Sequence, residues 1–465
     1  VGGIDELGPA VTTTDNNSYS HNYGVESYLA RVNYGFKSRY YVDASWRTDG
    51  SSRFHPGDRW GHFWSVGASW RISEEQFMEN TRQWLANLTL KVSYGVQGND
   101  NLGTYYAWQG LYDYTWPNAT DAGAFVDKLE NREVTWEKNG NLNAGIEATM
   151  LGGRLGVSVE YYNRKTRDML LNSPLPISTG FTGFNDNVGS LRNQGLEVSL
   201  RGTILDKRDF RWDATLMGSF NRNKVLSLTG GQDVITSGIR VIEVGRPIYT
   251  FYLPKTAGVD PATGKQLYYA YWTQTVNDEG SLVNTRCDEY ITDNVAMATL
   301  SKYYHESREP KLFGSIGSTF TILKNIDVSF LTTYSIGGWV YDGLYNGSMY
   351  VQYAGNNWHK NAKRRWQKPG DKTDVPMLEV GGSYATADNS LIDASYFAIK
   401  NITVGYTLPK RWLKKIDIES LRIYATLDNI AMFNHMDGMD PQYNFTGSVA
   451  YSYTPSRVIA FGIDL

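Results

Sequence analysis

"ITVGYTLP", Ile402 to Pro409, alternates strictly: Ile402, Val404, Tyr406 and Leu408 are apolar, and Thr403, Gly405 and Thr407 between them are small and uncharged. Successive side chains of an extended chain point to opposite faces, so this stretch reads as a strand with one greasy face and one polar face. What the greasy face meets decides the fold.

The same period of two recurs along the chain. In "LTLKVSYGV", Leu88, Leu90, Val92, Tyr94 and Val96 oppose Thr89, Lys91, Ser93 and Gly95, and "NLNAGIEATM" sets Leu142, Ala144, Ile146, Ala148 and Met150 against Asn143, Gly145, Glu147 and Thr149. "RLGVSVEYY", "WDATLMGSF", "LRIYATLDN" and "RVIAFGIDL" repeat the rule, while helical periodicity is confined to connectors such as "SEEQFMEN". The chain reads as all-β, with roughly thirteen antiparallel strands of ~10–15 residues, longer than the usual five or six. Tilted strands of about nine to eleven residues are what a bilayer's hydrocarbon requires, and no run of about eighteen apolar residues offers a membrane-spanning helix.

Composition fits that tilt. Aromatics make up 14% of the 465 residues and charged residues 20%, below the roughly 25% of soluble domains. A net charge of -3 gives no basic field for nucleic acid. Cys287 is the one cysteine and the six His are scattered, so no disulfide, thiolate–His metal set or cofactor is expected. The start, "VGGIDELGPA", has neither Met nor a signal-peptide pattern.

Connections alternate in length. "GFKSR", "LGG", "LDKRD" and "LKN" are tight, and long excursions run about 98–138, 226–309, 340–395 and 434–456; short turns on one rim and long loops on the other mark outer-membrane barrels. Aromatic residues gather at both rims: Tyr34, Phe36, Tyr40, Trp70, Trp84, Trp212 and Trp412 by the short turns, Trp46, Tyr162, Phe220, Tyr334, Trp339 and Phe433 by the long loops. Two interfacial girdles give this pattern. On this reading Ile402, Val404, Tyr406 and Leu408 face lipid, Thr403, Gly405 and Thr407 face a watery lumen, and Lys400, on the parity of Ile402, snorkels at a rim. Counting back from the last strand puts Val1 to Gly24 on the long-loop side. Bacterial barrels have even strand numbers, so the N-terminal barrel part is expected from another polypeptide or from sequence outside this one.

Several stretches resemble one family, the SusC-like (SusC/RagA) TonB-dependent transporters of Bacteroidetes-type outer membranes. They are "RYYVDASWRTDGSSRF" with "RWGHFWSVGASWRISEEQF", then "VTWEKNGNLNAGIE", "EYYNRKTRDMLL", "PISTGFTGFNDNVGSLRNQGLEVSL" and "VGRPIYTFY", and finally "SYFAIKNITVGYTLPKRWLKKI", "LRIYATLDNIAMF" and "GMDP". The resemblance runs from about Tyr28 to Leu465. It implies a twenty-two-stranded barrel with an N-terminal plug, energised by TonB and capped by a SusD-like surface lipoprotein that captures glycans or peptides. The plug, the TonB-box segment and the early strands have no counterpart here, and the chain stops at "FGIDL" where the family tends to end in an aromatic.

Catalytic patterns are lacking: no HExxH, no GxSxG and no phosphate loop occurs. Asp288 and Glu289 are adjacent and point oppositely on a strand, a poor glycosidase pair. Asp260 in "GVDPATGK" reads as a turn rather than a calcium ligand, and "NAKRRWQKPG" as a solvated basic loop or a contact to lipopolysaccharide or an acidic partner. The better signal is loop aromatics. Trp108, Tyr112, Tyr114 and Trp116 fall in one excursion, and Tyr345, Tyr350 and Trp358, with Tyr341 and Tyr353, in another. Such rings stack on sugars or anchor peptides; they also pack loops together or dock a lid. The expectation is therefore a non-enzymatic transporter part. The alternative is a soluble carbohydrate-binding or carbohydrate-cleaving β protein, which would cover the greasy face with a second sheet.

Overall fold

The structure is a computed structural model that describes residues 20–113, 123–228, 233–349, 357–379, 382, 384–414, 418–436, 439–442, 446–449 and 453–465. Thirteen strands follow one another in a single ladder in chain order. They are β1 (Val25–Phe36), β2 (Tyr40–Ser51), β3 (Trp60–Arg71), β4 (Leu85–Asn99), β5 (Glu137–Met150), β6 (Leu155–Arg167) and β7 (Ser190–Lys207), then β8 (Phe210–Ser227), β9 (Leu312–Ile322), β10 (Ile326–Ile336), β11 (Tyr396–Thr407), β12 (Arg422–Asn434) and β13 (Val458–Asp464). The fold class and the strand number agree with the sequence reading. The helical connector is a pair of 3₁₀ turns, Ile72–Glu74 and Gln76–Thr81.

The chain divides into two compact units, one of Val1–Gly153, Ser158–Gly195 and Asn223–Ile235, the other of Arg154–Val157, Leu196–Arg222 and Thr236–Leu465. In the first, the registers bring Tyr34, Val42, Ala68, Val92 and Ala144 side by side, with Val32, Ala44, Val66, Tyr94 and Leu142 in the next row. The reverse face reads Asn33, Asp43, Gly67, Ser93 and Asn143. Val32 is 68% exposed and Val66 47%, and among the described residues no second layer covers this apolar face.

The second unit repeats the arrangement with Trp212, Phe320, Val328, Val404, Ala425 and Phe461 in one apolar row. Here the opening stretch finds its surroundings. Ile402 lies between Phe330 and Leu427, and Tyr406 between Ile326 and Ile423. Gly405 turns to the polar face, where Arg422 donates to Asp327 at 2.7 and 3.0 Å and to Asp464 at 3.1 Å. A Cβ at Gly405 would sit 2.5 Å from Asp327 Oδ1 and 2.6 Å from the guanidinium, so the missing side chain is the space the ion pair occupies.

Three expectations change. The parity that tied Lys400 to Ile402 is interrupted: against β10 the ladder steps from Ile399 to Asn401, a β-bulge that leaves Lys400 unpaired, and against β12 the extra residue lies on β12, at Asn429–Ile430. The extra residue resets the alternation, so Phe397 and Ile399 join Ile402 on the apolar face, Phe397 opposite Phe433. Tyr162 belongs to the polar face, because its alternates Arg164 and Thr166 bond Asn141 and Asn139 there. Trp339 leaves the rim for a short loop strand, Trp339–Asp342, and packs against Phe251 and Leu253.

Replacing Gly405 with Val should displace the Arg422–Asp327 pair and cost about 1–3 kcal/mol by overpacking. Gly317→Val, whose nearest neighbour would be 3.9 Å away, should cost far less. The comparison is read as the temperature at which the heat-modifiable gel band converts, with Gly405→Val converting at the lower temperature.

Candidate functional site

The polar face and the bodies built by the long connections carry what chemistry the chain has. In the first unit a groove of about 570 Å³ runs over the polar face between Arg31, Asn33, Asp43, Lys91 and Glu160. Lys91 donates to Glu147 at 2.5 Å and Ser45 and Ser65 lie 2.7 Å apart. In the second, Asn401 donates to Asp428 at 2.7 Å and to Thr426 at 2.9 Å, and Thr403 and Thr426 are 2.8 Å apart. Both faces pair short polar groups laterally and present charge to water, a surface for wetting and weak multiple contacts rather than for covalent chemistry. Among the described residues no three His, Cys, Asp or Glu gather as a metal set.

The long connections are folded. In the first unit, Phe54, Phe63, Ala107, Val134 and Trp136 form a buried cluster with Leu102, Trp108 and Leu170 against it. Trp136 fixes it: its ring meets Phe54 and Phe63 at 5.3 Å, and its indole N–H donates to the Arg59 carbonyl at 2.8 Å. The connection 168–189, which the sequence reading passed over, contributes a hairpin of Leu170–Pro174 and Gly183–Asn187.

In the second unit three connections lock into one another. Tyr268 packs with Ala298, Ala385 and Ala387, Tyr341 with Phe251 and Leu253, and Val340 with Ala394, Met436 and Met439. The "GVDPATGK" hairpin is the turn expected: Asp260 accepts from the Ala262 N–H at 3.0 Å and the Thr263 hydroxyl at 2.5 Å, bonds that hold its carboxyl below the usual range. Its tip is then clamped. Trp366 donates to the Pro261 carbonyl at 2.9 Å and covers Gly264, whose φ of +76° and lack of Cβ let the indole lie flat on the backbone. The neighbouring basic run is a short 3₁₀ turn, Lys360–Arg364, with Arg364 paired to Asp374 at 3.2 Å.

The structure distributes the candidate aromatics unevenly. Trp108 is half-buried on the first cluster, its ring edge-on to His55 at 5.3 Å. Tyr112, on the strand Leu111–Asp113, is 58% exposed. Tyr345 and Trp358 pack together on Met349, Ala362 and Val375, and Tyr345 meets His359 edge-on at 4.9 Å. Tyr114, Trp116 and Tyr350 lie outside the described residues. A second group went unnoticed in the sequence: Tyr252 and Tyr304 (4.9 Å apart), and Tyr271 and Tyr303 (5.4 Å), with Arg246 over Tyr304 and Lys255 over Tyr269. "YYAYW" and "KYY" were the signal, but only strand pairing brings them together.

A family described as TonB dependent receptor-like, beta-barrel, matches residues 2–430. This chain belongs to that family. The TonB-dependent receptor SusC of Bacteroides thetaiotaomicron is 29% identical over 462 residues, covering 96% of this chain and 44% of SusC. TonB-dependent receptor P26 of Formosa agariphila is 28% identical, covering 95% of this chain and 46% of that protein. Among solved structures, the RagAB peptide transporter superposes with a TM-score of 0.82 at 29% identity, over 97% of this chain and 49% of that one. The chain thus spans just under half the length of the relatives it matches, and the resemblance read from the sequence is upheld at family level.

For this TonB-dependent receptor chain the interlocked loop body makes two predictions. Burial pushes the Tyr268 hydroxyl up to about 12, so the folded state keeps a proton that the unfolded state releases near pH 10. Stability intact below pH 10 should fall as pH rises from 10 to about 12, and Tyr268→Phe should flatten that fall, measured by urea midpoints across the range. Because the hydroxyl also accepts the Ala385 N–H at 3.1 Å, Tyr268→Phe should cost about 1–2 kcal/mol at pH 7. Trp366→Ala should free the hairpin tip and speed tryptic cleavage within 360–368, while cleavage near Arg53 in the first unit stays at the parent rate.

Proposed function

We propose that this chain forms the C-terminal part of the barrel of a TonB-dependent transporter in the outer membrane of a Gram-negative, Bacteroidetes-type bacterium, a multi-pass wall importing oligosaccharides or peptides. The observation that carries the proposal is the bare apolar face. Val32, Val66, Val92 and Phe461 are large, exposed and in register with other apolar residues, an arrangement that suits hydrocarbon, whereas their backbone groups are satisfied along the ladder. A soluble β protein would need a cover over this face, and the described residues supply none. Support for the import of extended polymers comes from the RagAB peptide transporter, similar over nearly all of this chain.

In this reading an N-terminal plug and further barrel strands complete the pore, TonB acts through that part, and a SusD-like lipoprotein docks on the folded long connections, which face outward. The substrate meets loop aromatics. Tyr112 offers its ring most openly, Trp108, Tyr345 and Trp358 offer edges of packed clusters, and Tyr114, Trp116 and Tyr350 remain candidates from the sequence.

The test has two arms. The protein should require detergent for extraction and a monodisperse peak; a monodisperse sample without detergent overturns the membrane reading. Mass spectrometry of what copurifies with the complex identifies glycan or peptide. Tyr112→Ala should then lower uptake about threefold to tenfold, the range of one stacking contact of about 1 kcal/mol, with the complex intact; unchanged uptake removes Tyr112 from the path.

A further inference from the structure

The apolar face of the first unit ends, toward the long connections, in cations that a hydrocarbon-facing wall does not by itself explain. β6 contributes Lys165 and Arg167, β7 Arg192 and β8 Lys224. Their face follows from their neighbours. Arg164 donates to Asn141 at 2.7 Å and Thr166 to Asn139 at 2.5 Å on the polar side, so Lys165 and Arg167 alternate onto the apolar side. On β8, Trp212 is in the apolar row, which puts Asn223 on the polar side, where it donates to Asn193 at 2.8 Å; Arg192 and Lys224 return to the apolar side.

Register sets them abreast. Val188 N–H donates to the Met169 carbonyl at 2.6 Å, which places Lys165 opposite Arg192 along the same ladder, and the Asn193–Asn223 bond places Arg192 opposite Lys224. Neighbouring strands are about 4.8 Å apart, so the three backbones fall within roughly 10 Å, and Arg167 stands one step nearer the rim. Among the described residues none of the four has a carboxylate partner; Asp168, the acid beside them, is engaged by Lys138 at 3.8 Å. Like charges this close repel, and an anion relieves that repulsion.

The occupant is indicated by what lies below. From the rim inward on this face, the row of Lys165, Arg192 and Lys224 gives way to the amides of Asn163 and Gln194, with Leu142 opposite Asn163 and Arg222 two residues before Lys224 on β8, then to the exposed ring of Tyr161 opposite Ala144, then to Ile146 on β5. Cations at the rim, a row that mixes amides, charge and one aliphatic side chain, then ring and aliphatic surface match the passage from phosphate through sugar to acyl chain along a phosphorylated glycolipid standing beside the wall. A soluble partner would have to bury the aliphatic surface as well.

We infer that Lys165, Arg192 and Lys224, with Arg167 above them, bind the phosphate groups of a phosphorylated glycolipid of the outer leaflet. Arg192 supplies forked hydrogen bonds to phosphate oxygens and the lysines supply mobile point charges. The site rests on the reading that the apolar face meets lipid and the long connections face outward.

The test is native mass spectrometry of the full detergent-purified protein with added bisphosphoryl lipid A. The variant Lys165→Gln/Arg192→Gln/Lys224→Gln should retain about tenfold less lipid than the parent, a loss of about 1.4 kcal/mol. The charge-matched control Lys37→Gln/Arg208→Gln/Lys324→Gln, three exposed cations at the short turns of the opposite rim, should retain as much as the parent. Dephosphorylated lipid A should bind the parent no better than lipid A binds the triple variant, and millimolar inorganic phosphate should not displace the lipid. Equal retention by the triple variant, equal binding of the dephosphorylated lipid, or displacement by free phosphate overturns the site. If the triple variant lacks the heat-modifiable band of a folded barrel, Lys224→Gln alone should lower retention about twofold to threefold, and no change there overturns it. A parent protein monodisperse without detergent defeats the underlying membrane reading instead, an outcome separable from loss of phosphate dependence in a protein that needs detergent.

Discussion

The two-residue repeat of the strand is the constraint on which this molecule depends. Once neighbouring strands are in register, each side chain is committed to one of two faces, and a shift of one residue would turn Val404 toward Asp327 and Arg422. The polar face enforces the register from its own side. Asn401 reaches Asp428 and Arg422 spans Asp327 and Asp464 across several strands, bonds that a slipped ladder would break. The bulge at Lys400 is the exception that keeps the rule, since one unpaired residue lets Phe397 and Ile399 rejoin the apolar side.

Beyond the wall, stability comes from a different source. The ladder strands bury little on their apolar side, and the fully buried side chains, among them Phe54, Val134, Phe251, Leu253 and Tyr268, are concentrated at the long connections. These segments form small hydrophobic cores, and four of the five clusters among the described residues draw on chain far apart in sequence. The clamp of Trp366 on the Pro261–Gly264 tip and the bond from Thr256 to Asp388 at 2.7 Å join connections more than a hundred residues apart. The loops of the second unit are therefore a packed body rather than independent flaps.

This division of labour also frames the aromatic residues. Rings on the wall stack in a row, Phe36, Tyr40 and Trp70 at 6.4 Å spacings, and the two with polar tips, Tyr40 and Trp70, both donate to Glu75. Rings of the connections serve packing first: Trp108, Tyr345 and Trp358 lean on apolar clusters and leave an edge outward, whereas Tyr112 stands open. A tyrosine-rich stretch thus carries different meanings on the two parts of one chain.

From the sequence alone the strand type, the number of strands, the two faces and the alternation of short and long connections were legible, because a period of two is a local property that solvent on each side writes into consecutive residues. The family was legible for the same reason, through ordered motifs from Tyr28 to Leu465. Pairing was not: the Lys400 bulge, the polar side of Tyr162, the loop cores and the row of Lys165, Arg192 and Lys224 depend on which residues of different strands stand opposite. Sequence spacing leaves that open, since hydrogen bonding between backbones fixes it only when the sheet is assembled.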